Sequence, residues 1–85
     1  MMKITRTANG DVVFALIGRM EAENIGEIET LIKEEEGGRS IVFDLKDLTL
    51  VDQDVVVFFR RCEADSIKLE NCAGYIREWM KQEKS

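Results

Sequence analysis

The chain has 85 residues, 45% of them hydrophobic, and carries twelve Lys and Arg against seventeen Asp and Glu, a formal charge of −5. Histidine and proline are absent, and cysteine occurs twice, at Cys62 and Cys72. Size scaling predicts a single domain spanning residues 1–85 that buries about 64% of its unfolded surface, with a radius of gyration of about 12 Å. A net-acidic chain lacks the basic surface that attracts nucleic acid or anionic lipid, so neither is expected as a partner. No apolar run approaches the ~18 residues of a membrane span, and no signal-peptide core follows the N-terminal Met-Met-Lys, so the expected location is the cytoplasm. Without histidine there is no Ser-His or Cys-His nucleophile pair, no imidazole base and no His-containing zinc site. Two cysteines are too few for a disulfide framework or a Cys-rich metal site. What remains is a domain that works by binding, with no catalysis and no cofactor expected.

The first turn signal is Asn9-Gly10-Asp11, between Lys3-Ile4-Thr5-Arg6-Thr7 and the apolar run Val12-Val13-Phe14-Ala15-Leu16-Ile17. This predicts a β-hairpin whose second strand is buried on both faces. From Glu21 the period changes. Ile25, Ile28, Leu31 and Ile32 fall on one helical stripe, with Glu27, Glu29, Lys33 and Glu34 opposite. Glu21 or Asn24 is the expected cap, and Gly37-Gly38 the expected end. The run Glu34-Glu35-Glu36 reads as a solvated helix end, poorly placed against the negative pole of the helix dipole.

Ser40-Ile41-Val42-Phe43-Asp44-Leu45 is apolar and β-branched, as in a central strand of a covered parallel sheet. The stretch Lys46-Asp47-Leu48-Thr49-Leu50-Val51-Asp52-Gln53-Asp54 is read as a loop into the next element. Val55-Val56-Val57 favours strand by propensity, but Asp52 and Asp54 sit at cap and first-turn positions. Val55, Val56, Phe59 and Cys62 also share a helical face, so a crossover helix is predicted. Ile67-Lys68-Leu69-Glu70-Asn71 alternates like a last strand, with Asn71 as cap of a final amphipathic helix carrying Tyr75, Ile76, Trp79 and Met80. The order is β-β-α-β-α-β-α, an α/β fold with helices on a mostly parallel sheet.

Asp44, Asp47, Asp52 and Asp54 crowd the segment that leads into the second helix. Such carboxylates can bind a hard cation or do acid-base work. Their spacing is not that of an EF-hand and no phosphate-binding glycine loop accompanies them, so helix caps and solvated loop acids are the better reading. Cys62 is expected as a buried structural thiol. Cys72 is placed near a helix start, where the dipole lowers a thiol pKa. Tyr75 and Trp79 are read first as core or as an anchor on the sheet; exposed, they would be interface hot spots.

Three segments resemble one family. Leu16-Ile17-Gly18-Arg19-Met20-Glu21-Ala22-Glu23-Asn24 is similar to the strand–Gly-Arg-Leu-Asp-Ala-x-Asn helix start of STAS domains, the anti-sigma factor antagonist family. Ile41-Val42-Phe43-Asp44-Leu45 resembles that family's central strand, and Leu50-Val51-Asp52-Gln53-Asp54-Val55 lines up with its hydrophobic-hydrophobic-Asp-Ser-Ser-Gly signature. The resemblance runs from about Ile4 to Met80. It implies a STAS-like fold and a non-enzymatic, bacterial, protein-binding module of signal transduction that regulates transcription. In such circuits an unphosphorylated antagonist binds an anti-sigma factor kinase and frees the sigma factor. Phosphorylation of the signature serine at a helix N-terminus then breaks the complex, because nearly two negative charges enter the docking surface.

The implied partner-binding residues are Arg19, Glu21, Asn24, Asp52, Gln53 and Asp54. Here the chain departs from the family: the aspartate persists at Asp52, while both serines and the glycine are replaced by Gln53, Asp54 and Val55. Asp54 stands at the phosphoacceptor position and is permanently charged, so no serine phospho-switch is expected. Family members continue with a further strand and helix beyond the region matching Tyr75 to Met80. The sheet edge near Ile67 to Asn71 is therefore expected to be covered by a helix or loop, or to pair in a homodimer. The alternative function is a structural or adaptor module in a homo- or hetero-oligomeric signalling complex, assembled through that edge and Trp79. An enzyme using Asp52 and Asp54 is the third reading.

Overall fold

The computed structural model describes residues 2–35 and 38–83. Its elements are β1 (Met2–Asn9), β2 (Asp11–Met20), α1 (Ala22–Glu34), β3 (Ile41–Asp44), β4 (Leu48–Val51), α2 (Gln53–Ala64), β5 (Lys68–Glu70) and α3 (Gly74–Gln82). β1 and β2 form the predicted hairpin, antiparallel from Met2↔Gly18 to Asn9↔Asp11. Gly10 alone stands at its tip with φ +88°, a conformation that costs any residue with a Cβ. β3 and β5 follow in parallel, giving the order β1-β2-β3-β5, and β4 pairs with β2. The Cα radius of gyration is 12.0 Å, as the length scaling predicts.

Two strand readings change. β2 is not buried on both faces. Val12, Phe14, Leu16 and Met20 are buried, whereas Val13, Ala15 and Ile17 are only partly so. The run looks two-sided in sequence because the uncovered face is also apolar at its centre. Second, the segment read as a loop contains β4, so the order is β-β-α-β-β-α-β-α. β3 pairs with the first half of β2 (Val12 to Ala15) and β4 with its end (Gly18 to Met20), so the two short strands occupy one lane beside a long one. The chain steps between them through Leu45, whose carbonyl accepts from the Leu48 amide at 3.1 Å.

The core lies between the sheet and the helices. Phe14, Leu16, Phe43, Ile28, Val55, Val56, Phe59 and Ile76 are all at most 1% exposed. Phe43 is its aromatic hub, 6.2 Å from Phe14 edge-on and 6.4 Å from both Phe58 and Phe59. Each such side chain contributes about 1.5–3 kcal/mol on burial. The α2 prediction holds, and Phe58 joins its buried face. Val42 is also buried but stands apart from this cluster, on the other face of the sheet.

α1 ends at Glu34, before the predicted glycines, with Glu35 as its C-cap. Gly37 and Glu36 lie outside the described residues. Glu35 is not a free acid, for Arg6 of β1 grips both its oxygens at 2.7 and 3.0 Å. That guanidinium holds the Glu35 carboxyl below its ordinary pKa. β5 spans only Lys68–Glu70, and the cap of α3 is Ala73 rather than Asn71. Asn71 instead takes a left-handed turn (φ +58°) and donates its side-chain amide to Asp44.

Candidate protein-interaction face

β2 and β4 run parallel and stop side by side at Met20↔Val51, each feeding a helix within two residues. Two helix N-termini therefore open at one place, and each leaves backbone N–H groups without partners inside its own helix. Asp52 answers both. Its Oδ1 accepts from the Val55 amide at 3.0 Å and caps α2, and its Oδ2 accepts from the Ala22 amide at 2.9 Å in α1. A carboxylate suits this position because both helix dipoles present their positive poles to it. At the start of α1, Glu21 is the N-cap and Asn24 answers it, its Oδ1 accepting the Glu21 amide at 2.8 Å. Both predicted caps are thus in use, as partners.

The structure brings all six sequence-derived site residues to this end of the sheet. Arg19 and Glu21 form a loose ion pair (3.4 Å) between side chains 55% and 47% exposed, a contact that stabilises little. Gln53 and Asp54 occupy the exposed first turn of α2. The charge of Asp54 sits near the positive pole of α2 and is exposed to solvent, whereas removing that of Asp52 would unlatch two helices. Among the described residues, no three Asp, Glu or Cys side chains gather as they would to hold a metal ion.

The neighbouring strand ends add a second polar contact. Asp44 Oδ1 accepts from Asn71 Nδ2 and from the Lys46 amide, each at 3.0 Å. The Asn71 bond, then the Lys46 amide, hold the Asp44 carboxyl below its usual pKa.

Sequence reasoning missed one part of this face. β4 carries a bulge. Gly18 opposes Leu48, but Arg19 opposes Leu50, so Thr49 is the extra residue. Leu48 and Val51 point into the core while Thr49 and Leu50 point out, and Leu50 is 52% exposed. Gly18 permits the irregularity with φ +95°, and its carbonyl accepts the Thr49 hydroxyl at 2.9 Å. Tyr75, read first as core or as an anchor on the sheet, is 48% exposed, yet its hydroxyl donates to the Thr49 carbonyl of β4 at 3.1 Å. The α3 stripe is narrower than the sequence implied. Ile76 and Met80 are buried, Trp79 is part-buried, and its indole N–H donates to Glu83 at 3.0 Å.

The cysteines divide similarly. Cys62 is buried as expected, and burial pushes its thiol up to about 12. Cys72 lies near the start of α3 as expected, half-buried, but burial raises its pKa where the helix dipole was expected to lower it.

Among the described residues, no helix is long and apolar enough to cross a membrane. No family model matches the chain, and no curated protein matches it in sequence. Among solved structures it is similar to the anti-sigma factor antagonist SpoIIAA in its unphosphorylated form. The TM-score is 0.60 at 20% identity, over 95% of this chain and 82% of that one. The chain has the mixed α/β fold of that anti-sigma factor antagonist, the STAS fold.

Proposed function

We propose that this chain is a single STAS-like, non-enzymatic module that binds a protein partner and regulates transcription, as an anti-sigma factor antagonist does, without serine phospho-switching. The observation that carries this reading is the double latch of Asp52. It ties the Arg19-to-Asn24 turn and the Asp52-to-Asp54 start of α2 into one face. Groups already fixed relative to one another lose less ordering entropy on binding, which suits a docking module. Asp54 stands where the resembling family keeps its serine, so the face carries a fixed charge in place of a switchable one. The partner is an anti-sigma factor or kinase-like regulator in the cytoplasm of a bacterium.

The test is a pull-down from cells of the source organism with the parent chain and Asp54→Ser side by side. The parent is expected to retain a sigma-regulating protein. ATP and the retained kinase should label Asp54→Ser but not the parent. Label on the parent's residues 47–54 would overturn the missing switch. A retained set without any sigma regulator would overturn the transcriptional role.

A further inference from the structure

Leu50 and Tyr75 are the exposed large hydrophobic side chains among the described residues, 52% and 48% open to solvent. A single exposed leucine on a surface needs no explanation. Two large apolar groups that meet at one peptide unit do. They flank one peptide unit: Tyr75 is tied by its hydroxyl to the carbonyl of Thr49, the residue before Leu50. They come from elements far apart in sequence, β4 and α3, and a bulge in β4 turns Leu50 outward. An alternating strand would have sent Leu50 inward with Leu48. The patch is continuous with the latched face, since Leu50 opposes Arg19 across the β2–β4 pairing.

The charge around the patch selects its occupant. Segments 19–24 and 46–54 carry the carboxylates of Glu21, Glu23, Asp47, Asp52 and Asp54 against the cations Arg19 and Lys46. Arg19 is moreover engaged by Glu21. The start of α3 beside Tyr75 adds one of each sign, Arg77 and Glu78, so the segments next to the apolar pair remain net acidic. Such a face favours a ligand of the opposite pattern, because surrounding charges steer the encounter and buried anchors hold it. Two clefts elsewhere among the described residues lack this acidic bias. A groove of about 280 Å³ between α1 and α2 balances Glu29 and Asp65 against Lys33 and Arg61. In the cleft of about 330 Å³ between α2 and α3, Arg60, Arg77 and Lys81 outnumber Glu63, so its bias is basic.

We propose that Leu50 and Tyr75 are the anchor points for a basic segment of a protein partner, which packs one large apolar side chain against them and sets Lys or Arg against Asp47, Asp54 and Glu21. This deepens the protein-binding reading above and rests on it, but it does not require that the partner be a sigma regulator.

The test pans a phage-displayed library of random peptides against the folded chain, then maps the enriched peptides, made synthetically, by amide chemical shifts. Enriched peptides are expected to carry several Lys or Arg around a Leu, Phe or Trp, to shift Leu50 and Tyr75, and to bind more weakly as salt is raised. Leu50→Ser should weaken them at least tenfold, while Tyr75→Phe, which keeps the ring, should leave them within threefold. Thermal melts establish that both variants are folded. No enrichment, enrichment of acidic peptides, shifts centred on the α1–α2 groove, or full affinity for Leu50→Ser would each overturn the proposal. A pull-down that retains no sigma regulator would sink the transcriptional reading and leave these peptide results intact.

Discussion

α2 and α3 begin at the same end of the sheet and begin in contrasting ways. α2 starts from Asp52, whose carboxylate is consumed by two backbone amides, one in its own first turn and one in α1. α3 starts from Ala73 with no side-chain cap, and it is moored instead by one hydroxyl of the exposed Tyr75 on β4. The Asp52 carboxylate at the first start is occupied within the molecule, while at the second Tyr75 faces outward beside the buried Ile76. A surface read only for its charges would take the Asp52 region as the binding element. By this contrast Asp52 is the frame, and the exposed apolar area beside it is that of Leu50 and Tyr75.

Substitutions sharpen the contrast in order of size. Asp52→Ala should be the costliest at this end, removing a cap worth about 1–2 kcal/mol and a second bond worth about 1 kcal/mol. Urea unfolding should place it well below Asp54→Ala, which is expected within about 0.5 kcal/mol of the parent. Equal costs for the two would abolish the distinction between frame and free surface. Gly18→Ala forces a Cβ into the left-handed region at the β4 bulge. About 1–2 kcal/mol should be lost, with a change in the amide shifts of Thr49 and Leu50. Ala73→Ser supplies the side-chain cap that α3 lacks, and the melting temperature should rise for a gain of about 0.5–1 kcal/mol. Tyr75→Phe gives up a single exposed bond and should cost at most about 1 kcal/mol.

The pH dependence gives the finest test. The Asp44 carboxyl is held below its ordinary value by Asn71 and the Lys46 amide. Stability from these bonds is in place above the unfolded pKa of about 3.9 and is lost as pH falls through the lower folded value. A carboxyl-detected NMR titration should show the Asp44 midpoint below about 3.9, moving up in Asn71→Ala.

The hairpin, the α1 stripe of Ile25, Ile28, Leu31 and Ile32, and the Asp52 cap were legible because each is written within a few consecutive residues. β4 was not, because the extra residue Thr49 breaks the alternation that marks a strand, and the bulge exists only in register with Gly18 of β2. The pairing of Arg6 with Glu35, 29 residues apart, answers the puzzle of an acid at a helix C-terminus, and no local rule contains it. Tyr75 shares a stripe with Ile76, Trp79 and Met80, yet only Ile76 and Met80 are buried, since the width of a buried stripe is set by the neighbouring elements. At the candidate site the gathering of Arg19, Glu21, Asn24, Asp52, Gln53 and Asp54 followed from the resemblance to STAS domains. The second bond of Asp52, to Ala22, did not.

The shared lane of β3 and β4 divides the sheet by kinetic lability as well as by position. β2 has a neighbour along all but its last residues on one side, and β3 is clasped between β2 and β5. β4 instead hangs on the final three residues of β2. Local opening follows the fewest buried contacts and cross-strand bonds. Hydrogen exchange should therefore be slowest in β2 and β3 and markedly faster in β4, so that the strip bearing Leu50 can breathe while the centre of the sheet stays shut.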